Sequence, residues 1–230
     1  MKQKVSDYIA EYIAQWGIRD VFTVTGGGAM HMNDAFGHHK MLHCTYQHHE
    51  QACAMAAEAY ARLGNKMAAV CVTTGPGATN AITGVLGAWM DSIPMLVFSG
   101  QARYATTVSA SGLPLRSMGV QECNIVPVVK SLTKYAHMIV HPENIRYHLE
   151  KALYLAVNGR PGPVWLDIPL DVQGAVIETD DLKAYDPEEN PEQKPREIKD
   201  ETVEQILDKL QESKRPVLSP GNGVRLAGAH

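Results

Sequence analysis

At 230 residues the chain has room for one large domain, or for one domain and part of another. With 45% hydrophobic and 20% charged residues it has the composition of an ordinary soluble globular protein, which excludes a disordered or fibrous chain. A net charge of −4 gives no general attraction to nucleic acid or to an anionic membrane.

Val5, Tyr8, Ile9, Tyr12, Ile13 and Trp16 recur at helical spacing, and Gly17 follows where helices commonly end. The polar start at Lys2, Gln3 and Lys4 is unlike a signal peptide, and no run reaches the length of a membrane span. Val21 to Thr25 is β-branched and aromatic and predicts a buried strand. Gly26-Gly27-Gly28 then turns the chain, and Ala29 to Phe36 predicts a short helix. Leu42 to Gln47 predicts the second strand. The Ala-rich run from His48 to Arg62 predicts a helix with Glu50 in its first turn, because Ala has the best helix propensity. Residues 52 to 57 are small and apolar, so the Glu50 carboxyl group should lose hydration, the condition under which such a group shares a proton with a weak base. A first-turn acid also stabilises its own helix through the dipole.

Met67 to Thr73 is continuously apolar, the habit of strands buried on both faces of a parallel sheet. Gly75-Pro76-Gly77-Ala78-Thr79-Asn80 predicts a tight turn, Ala81 to Met90 a helix, and Pro94 to Ser99 a fourth strand closed by Gly100-Gln101. This alternation predicts an α/β fold, a doubly wound and mostly parallel sheet flanked by helices. Residues 101 to 118 have no sustained period and predict a functional or mobile loop. A short helix within Gly119 to Val129, a strand within Ser131 to Val140, a helix over Pro142 to Val157 and a last buried strand over Pro163 to Ile168 follow.

From Asp180 the composition changes, and residues 186 to 200 hold three prolines and many charges, a solvated linker. Glu201 to Ser213 predicts an amphipathic helix and Arg215 to Leu218 a strand. One helix and one strand bury no core, so residues 201 to 230 read as the truncated start of a second α/β domain, after a first domain over 1 to 180 and a linker over 181 to 200.

Cys44, Cys53, Cys71 and Cys123 form no C-x-x-C pair, which fits reduced thiols in a cytoplasmic protein, and Cys53 and Cys71 read as small buried hydrophobes. His31, His38, His39, His43, His48 and His49 make a dense histidine segment. Adjacent residues point to different faces, and no HExxH pattern is present because Cys53 stands four residues after His49. A zinc hydrolase is therefore the runner-up, and no residue is assigned as a metal ligand.

Seven segments, in order, resemble the N-terminal, pyrimidine-binding domain of thiamine-diphosphate enzymes of the acetolactate synthase group. They are Gly27-Gly28-Ala29; His49-Glu50-Gln51 with Ala57-Glu58-Ala59-Tyr60-Ala61-Arg62; Gly75 to Asn80; Met90-Asp91-Ser92-Ile93-Pro94; Gly100-Gln101; Gln121-Glu122; and Gly159 to Val164. Two positions depart from that group, with Gly26 in place of its usual proline and Thr25 in place of its tyrosine.

The resemblance implies that Glu50 is catalytic and cofactor-binding, bonding a ring nitrogen of the aminopyrimidine so that the thiazolium carbon can lose its proton and attack a 2-keto acid such as pyruvate. It places Pro76 and Asn80 against the pyrimidine, Gly27 and Gly28 beside the reacting centre, Gln121 and Gly28 near substrate, and Arg160 against FAD if a flavin is used. Asp91 and Ser92 are expected to shape a loop. The group's Gly-Asp-Gly motif, which carries the Mg2+ that clamps the diphosphate, does not occur in this sequence. The fragment should therefore be inactive alone and work in a homodimer or homotetramer, with the cofactor between subunits. Carboligation to a second keto acid, transfer to an aldehyde or keto sugar, and a non-catalytic binding or regulatory module of the same fold all remain open.

Overall fold

The computed structural model of the protein describes residues 1–193 and 197–229. Strand β1 (Lys2–Lys4) runs directly into helix α1 (Val5–Trp16), which Gly17 ends in a left-handed conformation. Then come β2 (Asp20–Thr23), α2 (Met30–His38), β3 (His43–Tyr46), α3 (Glu50–Gly64) and β4 (Ala69–Val72). Short helix α4 (Pro76–Asn80) precedes α5 (Ile82–Met90) and β5 (Met95–Gln101). After α6 (Val108–Ser111) and α7 (Ile125–Val129) the chain forms β6 (Tyr135–Met138), α8 (Ile145–Val157), β7 (Pro163–Pro169), α9 (Leu170–Gly174) and β8 (Val176–Glu178). Helices α10 (Asp200–Glu212) and α11 (Asn222–Leu226) follow.

Six of the strands make one parallel sheet in the order β3-β2-β4-β5-β7-β6, the doubly wound architecture that the alternation of elements predicts. Strands β4, β5 and β7 are buried along their whole length. Successive side chains point to opposite faces and build two cores. Ala69, Cys71, Leu96 and Phe98 meet Ile9 and Ile13 of α1, Phe36 of α2 and Leu149 of α8. On the other face Val70, Val72, Val97 and Trp165 meet Cys53, Ala54 and Ala57 of α3, Val85 and Ala88 of α5 and Ile125 of α7.

Three features differ from the sequence expectation. Residues 76–80 form a turn of helix rather than a tight turn, because Pro76 supplies the helical φ at N1 and the chain runs straight on into α5. Residues 215–218 form no strand: Val217 and Leu218 are exposed, and no strand among the described residues pairs with them. Polar β1 pairs antiparallel with β8 across most of the chain, a contact without a local sequence pattern. Further on, Leu182 and Tyr185 are buried, and the Tyr185 N–H donates to Glu150 Oε2 of α8 at 2.7 Å, so this stretch packs on the first core. No helix among the described residues is long and apolar enough to cross a membrane.

Helices α3 and α5 touch because both are built from small residues. A Cβ at Gly84 would sit 2.5 Å from Ala54 Cβ and 2.7 Å from the Met55 backbone nitrogen. Gly84→Val should therefore cost about 1–3 kcal/mol of stability by overpacking. Gly87→Ala, on the same helix with open space around it, should gain about 0.5–1 kcal/mol. Urea midpoints of the two variants check the sign of each.

Candidate functional site

The chain leaves β2 for the sheet edge at β3 and returns on the other side of β2 as β4, so the carboxyl ends of these strands flank a topological switch point, where open α/β sheets bind ligands. Three connections open there: Gly26-Gly27-Gly28 after β2, His48-His49-Glu50 after β3, and Thr73 to Pro76 after β4.

Glu50 is the first residue of α3, and no side chain caps that helix. Its carboxylate is partly buried, and its Oε2 accepts from Asn80 Nδ2 at 2.7 Å. Among the described residues no hydrogen bond reaches Oε1. A Cβ on Gly77 would stand 3.4 Å from that oxygen and 2.7 Å from Thr73 Cγ2, so a residue without a side chain is what fits between Thr73 and the carboxylate. One turn on, burial and then the Glu50 carboxylate push the Cys53 thiol up to about 12, and burial does the same to Cys71, so neither offers a thiolate.

Thr73 joins the connections. Its Oγ1 accepts from the Gly28 N–H at 3.1 Å, and its side chain fills the space where a Gly26 Cβ would stand. Gly26 has φ −167°, a conformation closed to proline, whose ring holds φ near −65°. Gln173 Nε2 bonds the Gly28 carbonyl at 2.7 Å from below, while Gly27 has open space around it.

Gln121 comes to the same place through its backbone. It has φ +56°, rare for a residue with a side chain, and its carbonyl oxygen lies over Gly75, whose own φ of +58° and missing Cβ permit the approach. Next to it, Glu122 accepts from the N–H groups of Val108 at 2.7 Å and of Met118 and Gly119 at 2.9 Å, which folds the loop after β5 onto one carboxylate. Burial alone would push the Glu122 carboxyl up, but these three donors outweigh it and hold it below its usual range.

Beneath these loops lies a polar network inside apolar strands. Asp167 of β7 is fully buried; its Oδ1 accepts from Ser99 Oγ at 2.6 Å and its Oδ2 from Gln101 Nε2 at 3.0 Å. Trp165 Nε1 donates to Ser99 Oγ at 2.8 Å. Burial pushes the Asp167 carboxyl up to about 7, against the pull of its two donors.

Of the residues singled out from the sequence, Glu50, Pro76, Asn80, Gly27, Gly28 and Gln121 lie on the connections that meet at the switch point. Arg160 does not. Its Nε donates to Ser92 Oγ at 2.6 Å, just past the end of α5 far from Asn80. There it lines a cleft of about 370 Å³ with Trp89, Lys134 and Gln193. Asp91 pairs with Arg62, and Ser92 has φ +59°, so both shape the turn after α5. The histidines disperse: His38 pairs with Asp34, His39 with Glu11 and His43 with Asp20, while His31 lies against Gly174. Among the described residues no three His, Cys, Asp or Glu side chains converge as a metal ion requires. Thr73, Gly77, Gln101, Glu122, Asp167 and Gln173 complete the surroundings. The polar members within apolar strands were the available sequence signal for Gln101 and Asp167.

The raised Asp167 value makes stability depend on pH. Unfolded, the group ionises near 3.8; folded, it keeps its proton to about 7. Its contribution is therefore complete below pH 4 and is lost as pH rises toward 7, a gap worth roughly 4 kcal/mol. Asp167→Asn should flatten the fall in urea midpoint between pH 4 and 7. An unchanged slope would place its origin elsewhere.

A family model described as thiamine pyrophosphate enzyme, N-terminal TPP binding domain, matches residues 3–122, more than half of the chain. The chain is 35% identical over 233 residues to acetolactate synthase 2, chloroplastic, of Zea mays, covering 98% of this chain and 34% of that protein. It is 34% identical over 224 residues to acetolactate synthase, chloroplastic, of Arabidopsis thaliana, covering 96% and 32%. It is 33% identical over 225 residues to the acetolactate synthase large subunit of Lactococcus lactis subsp. lactis (strain IL1403), covering 97% and 37%. It spans about a third of the length of these curated relatives. The chain belongs to the thiamine pyrophosphate enzymes and carries their N-terminal TPP-binding domain.

Proposed function

We propose that this chain is the cofactor-binding N-terminal part of an acetolactate synthase-like enzyme, with Glu50 as the group that exchanges a proton with the aminopyrimidine of thiamine diphosphate. The observation that carries the reading is the Glu50 carboxylate itself. One oxygen is fixed by Asn80, and the other is without a partner among the described residues, next to Gly77, where a side chain would crowd it. These residues fit a flat heterocycle bearing a ring nitrogen: an acid at a helix N-terminus to meet it, and side-chain-free backbone to let it approach.

When bound, the cofactor supplies the electron sink that decarboxylates a 2-keto acid such as pyruvate and passes the remaining fragment to a second carbonyl. The chain's own residues do the rest. Glu50 Oε1 holds or releases a proton, Asn80 keeps the carboxylate from turning away, and Pro76 starts the turn that carries Asn80. Gly27 and Gly28 keep the backbone low next to the reacting atoms, and Gln121 reaches toward the keto acid.

Residues 1–180 act as the pyrimidine domain, 181–200 as a linker whose Leu182 and Tyr185 pack back on that domain, and 201–230 as the start of a central domain. Mg2+ and the diphosphate are held by a part of the protein outside this sequence, and Arg160 contacts FAD if the enzyme uses one. The working assembly is a cytoplasmic homodimer or homotetramer acting on small keto acids. Transfer to an aldehyde or keto sugar is the second enzymatic reading, left open by Gly26 in place of the group's proline and by the loop over residues 101–118.

Glu50→Gln in the full-length protein should keep the fold and cofactor affinity while slowing exchange of the thiazolium proton about 10²–10⁴-fold. Proton NMR of the bound cofactor in deuterated water measures the rate. Exchange at the parental rate would remove the role. A parent that binds the cofactor but neither exchanges its proton nor consumes pyruvate would be a non-catalytic module.

A further inference from the structure

The Gln101 amide, at the end of β5 and 1% exposed, uses its full hydrogen-bonding capacity. Its Oε1 accepts from Thr74 Oγ1 at 2.7 Å and from the Ala102 N–H at 3.0 Å. Its Nε2 donates to the Cys123 carbonyl at 2.8 Å and to Asp167 Oδ2 at 3.0 Å. Thr74 lies on the connection that leads to Gly75, Gly77 and Asn80, and Cys123 is two residues past Gln121 on the loop whose backbone lies over Gly75. One side chain thus ties together two segments that come from distant parts of the sequence and meet at the switch point.

We propose that Gln101 is a positioning residue, which sets the Gln121 loop against the Gly75–Asn80 turn and so fixes where the keto acid lies relative to Glu50. This rests on the function proposed above. Its direction is built in: the amide needs an acceptor at 167 and a donor at 74, and Ser99 holds the Asp167 carboxyl group in place for it. Because a dry, fully satisfied network is sensitive to the loss of any member, small changes here should move loops rather than surface chemistry.

The test uses the full-length protein with thiamine diphosphate, Mg2+ and pyruvate. Gln101→Glu should raise the KM for pyruvate about tenfold or more, and Thr74→Val about threefold or more, while the thiazolium proton exchange that reports on Glu50 changes less than twofold. Gln101→Glu also places two carboxyl groups in one dry site, where both cannot ionise, so its KM should climb as pH rises through neutrality. Adding Asp167→Asn restores a donor facing an acceptor and should remove that climb.

In the protein without cofactor, backbone amide exchange should quicken in residues 74–77 and 119–124 of both single variants and stay at the parental rate in β4 and β5. An unchanged KM, or faster exchange across the whole sheet in step with lost stability, overturns the proposal. A parent without thiazolium proton exchange instead overturns the function assigned to Glu50. The amide-exchange comparison then still decides whether Gln101 clamps the two segments.

Discussion

The reversal of the chain around β2 is the constraint on which the candidate site depends. Because β3 and β4 lie on opposite sides of β2 and all three run parallel, their carboxyl ends open at one edge of the sheet. Residues 26–28, 48–50 and 73–77 have no other way to meet. Thr73 stands between them, bonding Gly28 and filling the space at Gly26 and Gly77. Glycines at these positions are what let three connections share so small a volume.

Such a crowded edge needs a rigid base, and the central strands provide it in an unusual form. Ser99, Gln101 and Asp167 are buried polar groups in strands whose other side chains are apolar. Burying them costs free energy unless every donor finds an acceptor. Here Trp165 bonds Ser99, Ser99 bonds Asp167, and Gln101 bonds Asp167 as well as the loops above. An apolar trio would pack the sheet as well but would leave Thr74 and the Cys123 carbonyl without their bonds. The network is therefore where the stability of the sheet and the shape of the loops become one problem.

Most of the sheet was legible in the sequence because periodicity and Gly-Pro punctuation carry it. The apolar runs of β4, β5 and β7, the stripe of α1 and the Ala-rich start of α3 all depend on neighbours a few residues away. What escaped depends on residues far apart. Lys2–Lys4 forms a strand only because Val176–Glu178 lies beside it. Arg215 to Leu218 has strand-like side chains but nothing to pair with among the described residues, so propensity alone predicted the wrong state. The Gln121 loop folds around Glu122 through bonds to residues up to 14 positions away, and no local spacing records that.

Glu50 shows where sequence reasoning stops. An acid in the first turn of a helix is worth about 0.3–1 kcal/mol through the dipole, and that alone explains its presence. The pattern of residues cannot separate this role from a chemical one, since both need the same position. The geometry favours the chemical role proposed above. A carboxylate acting only for its helix would turn back to the unpaired N–H groups of the first turn. This one sends Oε2 across to Asn80, on an element thirty residues later, and leaves Oε1 beside a residue with no side chain. Stabilising α3 requires neither arrangement, and both support the chemical role proposed for Glu50.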